Sequence, residues 1–423
     1  MLLNYLKIAW KVLLRRTFFT FISLFGISFT LMILLVVFAL FDHLTGAHMP
    51  EKRIGQMLFV PTLRWEYKDN KGWSNGPMSP YFVDAYVRTM KTPAQTGMTS
   101  NVGNATAFSG GKLLPLDIRY TDSNFWQIME FDFREGRAFT GDEVKRAQPV
   151  CVINEATART YFGTATGVVG RTIEVNLQKL RVAGVVPNVS AAHLYSYADV
   201  WLPYTRARNL FGDKRLVGEF VPVLLAPSAA AVPAVQAEFA AVMRRMPVPT
   251  FEGVATVQAL HAHADPVLAT VTRQLLASDN KTKDDNLGIF YTVCTLLGLL
   301  FMTLPALNLV NLNVTRILER SSEIGVRKAF GATRRALVGQ FLVENLVLAA
   351  VGGALGLALA AGALQLLNES HVVAYAQFNL SAPVFGWGLL LTLFFGLMSG
   401  VYPAWKMARL NPSTALHGNA DRG

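Results

Sequence analysis

Cysteine is nearly absent from this sequence, which has two in 423 residues. Cys151 lies in "PVCVINEA", a run typical of a buried strand, and Cys294 lies in the apolar run "FYTVCTLLGLLF". Residues in such different surroundings are not expected to meet, so the sequence predicts two free thiols and no structural disulfide. Two isolated cysteines also supply too few ligands for a zinc site.

Nucleotide-binding and catalytic motifs are missing as well. The sequence contains no G-x-x-x-x-G-K-[ST] motif, so these residues are not expected to bind ATP through a P-loop. The stretch "SAAHLYSYAD" contains Ser190 and His193, but no acid accompanies them in a recognisable catalytic pattern. In "HAHAD", His261, His263 and Asp265 have no further ligand at a known zinc spacing, so a polar loop before the next helix is favoured.

Long apolar runs are what the sequence has instead. Its residues are 52% hydrophobic and its mean hydropathy is +0.32, which favours a few membrane spans joined to a sizeable polar domain. Four runs are long enough to cross a bilayer, at residues 18–41, 287–314, 336–367 and 384–405. The first is too long for a typical signal-peptide core and lacks a prompt A-x-A-like cleavage site, so we expect a retained anchor.

Acidic residues are outnumbered by basic ones, 28 to 39, which gives a net charge of +11. Such a balance can indicate nucleic-acid binding, but here the charge is concentrated beside the apolar runs. Residues 1–17 carry +4, residues 315–336 carry +4 and residues 406–423 carry +2, while the loop "NESHVVAYAQFNLSAP" has no Lys or Arg. The positive-inside rule therefore places the three basic segments in the cytoplasm and predicts no nucleic-acid partner.

This topology predicts a membrane protein with four transmembrane α-helices and a large α+β extracytoplasmic domain inserted between helices 1 and 2. The expected segments are an amphipathic entry helix at 1–17, TM1 at 18–41, the external domain at 42–286, TM2 at 287–314, a cytoplasmic segment at 315–335, TM3 at 336–367, an external loop at 368–383, TM4 at 384–405 and a tail at 406–423. Both termini are then expected to be cytoplasmic.

The external domain shows mixed strand and helix signals. "QPVCVINEATARTYFG" predicts a buried strand, an N-cap at Asn154 and a short helix that ends at Gly163. Alternating apolar residues in "GRTIEVNLQKLRVAGVV" predict a hairpin, and "PSAAAVPAVQAEFAAVMRRM" predicts an amphipathic helix. These elements together indicate an α+β domain.

Small residues recur in the last two predicted spans. Gly352 and Gly356 form a G-x-x-x-G pattern in the third, and Gly396 and Gly400 form one in the fourth. Such faces let helices approach closely in lipid. They serve either packing within one chain or contact with a second chain, and the pattern does not choose between these.

One acid, Glu344, falls about two turns into the third span. An ionisable residue at that depth is expected to have a partner, and Arg334, Arg335 or a basic residue of the first segment could provide it. A structural ion pair is favoured over a proton relay, because the spans contain no series of acids.

The basic segment between the second and third spans also carries acids. Its sequence "RSSEIGVRKAFGATRRALVGQF" begins at Arg320, and its period is helical. A helix lying on anionic lipid would need no acids, so the mixed charge favours a protein partner. The residues expected to make that contact are Arg320, Glu323, Ile324, Gly325, Val326, Arg327 and Lys328.

This segment resembles the signature of the MacB/FtsX-like ABC transporter permeases. The stretch "ERSSEIGVRKAFGATRRALVGQFLVENLVLAAVGGALGLALA" is similar to the family pattern R-x-x-E-I-G-[IV]-R-[KR]-A-[LF]-G-A-[ST] and the Q-F-L-x-E span after it. "NYLKIAWKVLLRRTFFTFISLFGIS" looks like the family's entry helix and first span. "SNFWQIMEFDFREGRAFTGDE" looks like its periplasmic core domain, and "SGVYPAWKMARLNPSTALHG" like its last-span exit.

The resemblance implies a transport subunit rather than an enzyme. Such permeases act as dimers, of identical or sister chains, above two ATPase subunits that hold ATP and Mg²⁺; this chain itself is expected to carry no cofactor. The segment at residues 315–335 would be the coupling helix that docks on the ATPase, and ATP-driven closure would move the domains outside the inner membrane. A periplasmic adaptor and an outer-membrane channel are further expected partners for export or efflux.

Three alternatives remain at this point. An FtsX-like regulator of cell-wall enzymes and a lipoprotein extraction subunit of the LolC/LolE type share the same layout. The external domain is larger than that of FtsX, which favours the MacB type. A membrane-anchored receptor or enzyme would leave the segment around Glu323 and Arg327 unexplained.

Overall fold

The computed structural model describes residues 17–68, 72–207, 214–248, 256–276, 285–319, 326, 330–331 and 333–408. The chain divides into two compact units. The first, called here the helical unit, covers Met1–Asp42, Thr292–Val372 and Phe378–Gly423. The second, called the α+β domain, covers His43–Tyr291 and Val373–Gln377.

The elements are numbered in chain order. The helices are α1 (Thr17–Thr45), α2 (Pro80–Phe82), α3 (Ser123–Ile128), α4 (Gly141–Lys145), α5 (Glu155–Phe162), α6 (Val232–Arg245), α7 (Val267–Leu275), α8 (Leu287–Glu319), α9 (Arg334–Glu369) and α10 (Ala382–Ala408). The strands are β1 (Met57–Phe59), β2 (Leu63–Tyr67), β3 (Trp73–Gly76), β4 (Gln95–Ser100), β5 (Gly103–Ser109), β6 (Lys112–Thr121), β7 (Glu135–Gly136), β8 (Val150–Asn154), β9 (Thr172–Val175), β10 (Gln178–Val186), β11 (Val200–Pro203), β12 (Phe220–Leu225) and β13 (Val257–His261).

Four long helices belong wholly or mainly to the helical unit. Among the described residues, two stretches are long and apolar enough to cross a membrane, Thr20–Thr45 and Val338–Glu369. Leu287–Phe301 and Ala382–Phe394 are shorter apolar stretches in α8 and α10. The α8 helix continues to Glu319, beyond the predicted end of TM2 at residue 314, because "TRILE" contains no helix-breaking residue.

A ten-stranded sheet forms the body of the α+β domain. Its order is β1-β12-β4-β6-β11-β8-β10-β9-β5, with β7 paired to β10. Because β5 pairs with both β9 and β6, the six strands from β6 to β5 form a closed ring of pairings. The strands β2, β3 and β13 form a separate antiparallel sheet.

Apolar side chains of the ring form one of three buried clusters. Each of its six strands contributes, and the α5 residue Ala158 joins them. A second cluster includes Trp126 of α3 and Trp201 of β11, and a third includes Phe82, Phe220 and Phe239. Burial of this apolar surface is the main force that holds the domain together.

The local patterns of the sequence predict several elements of the domain correctly. Asn154 accepts a hydrogen bond from the Thr157 N–H and caps α5, which ends at Gly163 in a left-handed conformation with φ 77°. The predicted hairpin is β9 and β10, and the predicted amphipathic helix contains α6. Cys151 is buried in β8 and Cys294 is exposed in α8; both are free thiols, as predicted.

Glu143 is the most heavily hydrogen-bonded carboxylate of α4. It accepts hydrogen bonds from Arg137 at 2.8 and 3.1 Å, from Arg181 at 3.3 Å and from the Thr140 N–H at 2.7 Å. The hydrogen bonds from Arg137, aided by Thr140, lower the pKa of Glu143 to about 2, although burial opposes them. Folding therefore favours the ionised form of this side chain.

This pKa shift predicts an acid-dependent loss of stability. The contribution of Glu143 is complete above pH 4.5, its ordinary pKa, and should be lost as the pH falls toward 2. Glu143→Gln should lower stability at pH 7 by roughly 1–3 kcal/mol and remove this part of the pH dependence. Thermal unfolding of the detergent-solubilised chain, from about pH 3 to about pH 7, measures this change in stability.

The matched control is Glu155→Gln, which removes one exposed ion pair with Arg134 at 3.1 Å. An exposed pair contributes little, so this change should leave the melting temperature nearly constant. If both variants follow the wild-type pH profile, the low pKa of Glu143 is wrong.

Candidate functional site

The close helix contacts of the helical unit form at glycines. A Cβ built on Gly352 would lie 2.8 Å from the Ile27 side chain of α1, and one built on Gly356 would lie 2.8 Å from Leu31 and 3.0 Å from the Ser28 carbonyl oxygen. Such distances leave no room for a larger residue. The G-x-x-x-G face of α9 therefore packs on α1 of the same chain.

Two further glycines make contacts of the same kind that the sequence pattern did not single out. A Cβ on Gly353 would lie 2.5 Å from Thr392 of α10, and one on Gly388 would lie 2.8 Å from Leu35 of α1. Neither belongs to the G-x-x-x-G motifs, although both sit among small residues of their spans. Gly396 and Gly400 lie on α10, but their contacts fall outside the described side chains.

Glu344 lies half-buried on α9, one turn after Gln340. The Gln340 side-chain amide donates to Glu344 Oε1 at 3.2 Å, and the neighbouring Asn345 is also buried. One amide side chain, that of Gln340, thus contacts this acid. The predicted basic partners Arg334 and Arg335 have side chains outside the described part of the chain, so that prediction is not tested.

The predicted partner-binding segment is described at a few positions only. Val326 is helical and 46% exposed. Gly331 has a φ of 87°, and the Thr333 hydroxyl caps α9 by accepting from the Ala336 N–H at 3.3 Å. The α9 helix therefore starts just after Gly331, as its sequence predicts. The other predicted contact residues lie outside the described residues, namely Arg320, Glu323, Ile324, Gly325, Arg327 and Lys328.

Ser190 and His193 make separate hydrogen bonds, and the Ser190 hydroxyl accepts from the Ala192 N–H at 3.2 Å. His193 Nδ1 lies 3.2 Å from Glu51 Oε2, an acid far away in sequence that no local pattern could reveal. The nearby Ser196 hydroxyl donates to the other carboxylate oxygen of Glu51 at 2.6 Å. His193 and Glu51 are 4% and 2% exposed, so this contact lies inside the domain.

The "HAHAD" stretch is structural as well. His261 ends β13 with Nε2 3.9 Å from Glu66, and Asp265 makes a buried ion pair with Arg273 at 2.6 Å. Within the described residues, no group of three or more His, Cys, Asp or Glu side chains could hold a metal ion.

Two family models match this chain, in two separate regions of the sequence. The family model described as a MacB-like periplasmic core domain matches residues 20–242, which is more than half of the chain. The model described as an FtsX-like permease C-terminal matches residues 295–412. The chain belongs to the MacB/FtsX-like ABC transporter permease family.

Curated members of the family share moderate identity with this chain. The macrolide export ATP-binding/permease protein MacB of Bdellovibrio bacteriovorus is 31% identical over 290 residues, which is 66% of this chain and 40% of that protein. The ABC transporter permease YknZ of Bacillus subtilis is 24% identical over 295 residues, covering 70% and 68%. The chain thus spans about 40% of the length of the MacB proteins it matches.

Two solved structures resemble parts of this chain weakly. The periplasmic region of MacB from Actinobacillus actinomycetemcomitans covers 53% of this chain and 94% of its own, at 12% identity and a TM-score of 0.35. The extracellular domain of YknZ from Gram-positive bacteria covers 43% and 91%, at 16% identity and a TM-score of 0.34.

Membership of the MacB/FtsX-like family makes this chain a membrane protein with an extracellular domain.

Proposed function

We propose that this chain is the permease subunit of a MacB-type ABC transporter. ATP hydrolysis by a separate ATPase would move its α+β domain, and that motion would drive export on the outer side of the inner membrane. The chain itself holds neither ATP nor Mg²⁺ in this scheme; both belong to the partner ATPase. The work is mechanical, since substrate is engaged by the domain rather than threaded through the bilayer.

One observation carries the proposal, the order of the two matched regions along the chain. The core-domain match begins in α1 and ends before α7, and the permease match begins in α8 and extends past α10. Between α8 and α9 lies the charged segment at residues 315–335. A segment between two spans is well placed for a cytoplasmic partner to move both helices.

Four membrane crossings fit this proposal. The helices α1, α8, α9 and α10 have 29, 33, 36 and 27 residues, and a crossing takes about 20. The basic segments then place both termini and the segment between α8 and α9 in the cytoplasm. The α+β domain lies on the opposite side of the inner membrane, in the periplasm.

The proposed assembly contains two permease chains and two ATPase subunits. The α8 helix supports a second permease chain, because several of its described apolar side chains are exposed; Leu296, Leu299 and Leu300 are 54–61% exposed. Lipid or another helix must cover such a surface. A periplasmic adaptor and an outer-membrane channel would complete an export pathway.

Export is favoured over the two related functions by the domain. Its sequence matches the MacB-like core domain over residues 20–242, and the curated MacB relatives are export proteins by name. Lipoprotein extraction and cell-wall regulation use the same layout. An adaptor gene or a cell-wall hydrolase gene beside that of this chain would separate them.

The experiment that tests the coupling role exchanges two charges, Glu323→Lys with Arg327→Glu. The exchange preserves the net charge and an opposite-charge pair one turn apart, so attraction to anionic lipid and helix support change little. A partner that reads the charge pattern should be lost, with bound ATPase falling at least about tenfold. Co-purification with a candidate ABC ATPase from a neighbouring gene measures it.

The matched control is the same exchange in the α+β domain, Arg134→Glu with Glu155→Lys, at an exposed ion pair of 3.1 Å. This control should retain the ATPase fully. Equal ATPase binding by the wild type and the Glu323/Arg327 variant would show that the segment is only a lipid-surface helix, and the coupling role would be abandoned.

A further inference from the structure

The chain joins the two units in three places, called here connections. The chain enters the α+β domain after Asp42 and leaves it after Tyr291. It returns for the short loop Val373–Gln377 between α9 and α10, which belongs to the domain. Any motion passed along the chain between the units must use these connections. Within the domain, each connection is linked by side-chain or backbone contacts to residues 190–199. This stretch, "SAAHLYSYAD", is called here the junction segment.

The α9–α10 loop is bonded to both ends of the junction segment. The Ala191 N–H donates to the Ala374 carbonyl oxygen at 2.9 Å. The Tyr375 hydroxyl donates to Asp199 Oδ1 at 2.8 Å, and the Asn154 side-chain amide donates to the same oxygen at 2.9 Å. Burial, together with the Asp199 charge, raises the pKa of Tyr375, so its hydroxyl keeps its proton and stays a donor.

The end of α1 reaches the middle of the junction segment. His43 lies in the last turn of α1, and its ring centroid is 5.2 Å from that of His193. His193 Nδ1 lies 3.2 Å from Glu51 Oε2, while the Ser196 hydroxyl donates to Glu51 Oε1 at 2.6 Å. Two residues of the segment thus hold the chain that follows α1.

The connection toward α8 reaches the segment through α7. The Tyr195 hydroxyl donates to the Thr270 hydroxyl oxygen of α7 at 3.0 Å, and the Tyr195 ring stacks on Phe59 with centroids 4.0 Å apart. Two residues further along α7, the Thr272 hydroxyl donates to the Asp285 carbonyl oxygen at 2.8 Å. Asp285 lies two residues before α8 begins.

A buried arginine fixes the junction segment to the sheet. Arg119 of β6 is 1% exposed and donates to the carbonyl oxygens of Leu194 at 2.8 Å and Tyr197 at 2.9 Å. His193, Ser196 and Asp199 are 4%, 0% and 7% exposed, so the hydrogen bonds of these three side chains are shielded from water. Shielded and fully bonded groups move as one body more readily than separate exposed contacts.

We propose that the junction segment is the transmission element of the α+β domain. It joins the end of α1, the approach to α8 and the α9–α10 loop into one rigid body attached to the sheet. Motion received at any one connection is thereby passed to the other two and to the domain. The physical linkage is independent of the permease role, but its use in transport rests on the function proposed above.

Hydrogen–deuterium exchange on the full chain in nanodiscs tests the linkage. Tyr375→Phe removes one hydrogen bond at the loop and keeps the ring. Amide exchange should rise up to about tenfold in residues 373–377, the effect of one lost hydrogen bond, and at least about threefold in residues 43–51 and 266–276. The control is Tyr161→Phe, which removes a hydroxyl that accepts from the Glu174 N–H elsewhere in the domain at 3.1 Å.

A second variant, on α7, tests the same linkage from the opposite end. If the connections are linked, Thr270→Val on α7 should speed exchange in residues 373–377, because coupling between two sites acts equally in both directions. This variant decides the question should Tyr375→Phe unfold the domain. Exchange that rises only beside each substitution, as it should in Tyr161→Phe, would overturn the transmission role.

The use in transport has its own readout. With the ATPase bound, ATP should change exchange in the sheet of the wild-type domain, and Tyr375→Phe should reduce that change at least about threefold while ATPase binding stays constant. If the wild type never binds the ATPase, the proposed function fails but the linkage result stands. An unchanged ATP response in Tyr375→Phe would overturn the use of the segment in transport.

Discussion

Replacing Arg119 with methionine should lower the free energy of unfolding of the α+β domain by about 3–5 kcal/mol. Arg119 lies in the interior, where burial lowers its pKa to about 10 and the charge of Glu51 counteracts that shift. Its guanidinium donates to Thr99, Ser100, Leu194 and Tyr197. Methionine fills similar space but leaves those acceptors without this donor and Glu51 without a compensating charge.

A double variant separates the charge from the hydrogen bonds. Glu51→Gln in the Arg119→Met background removes the buried acid and should recover a large part of the loss, since no uncompensated charge remains. Glu51→Gln alone should be destabilising. Chemical unfolding of the full chain, followed by tryptophan fluorescence, measures all three. A strictly additive cycle would show that Arg119 and Glu51 do not interact.

Leucine at Gly356 should destabilise the helical unit by about 1–3 kcal/mol, toward the upper end of that range. A Cβ there would lie 2.8 Å from the Leu31 Cβ and 3.0 Å from the Ser28 carbonyl oxygen. Neither atom is the free end of a flexible side chain, so α1 itself must move away from α9. Thermal unfolding of the detergent-solubilised chain, followed by its helical circular dichroism, measures the change.

Gly362→Leu on the same helix is the matched control. In the described part of the chain, no heavy atom lies within 4 Å of a Cβ built there, so leucine should be tolerated. Gly356→Leu should also reduce the amount of chain that reaches the membrane in folded form. Equal stability of the two variants would mean that α1 and α9 do not pack as described.

The sequence predicted best the features that depend on neighbours along the chain. The Asn154 cap, the stop at Gly163 and the β9–β10 hairpin follow from residue preferences within a few positions, and all three are present. The break at Gly331 before the capped start of α9 is of the same kind. These signals are local, so packing elsewhere leaves them unchanged.

The sequence predicted less of the candidate site, because its contacts join distant residues. The predicted external loop, residues 368–383, had no feature of its own except the lack of basic residues. In the structure, α9 extends to Glu369 and α10 begins at Ala382, and Val373–Gln377 between them belongs to the α+β domain through Ala374 and Tyr375. No periodic pattern indicates that Tyr375 will meet Asp199.

By itself, the sequence determined the family, the kind of architecture and the local elements. Apolar length, basic flanks and helix or strand period each report the surroundings of a short stretch, and such surroundings can be read residue by residue. Only the tertiary structure decided which glycines touch α1, that Glu51 meets His193, and that Arg119 is buried against the junction segment. Those outcomes depend on how separate stretches pack, which no single stretch encodes.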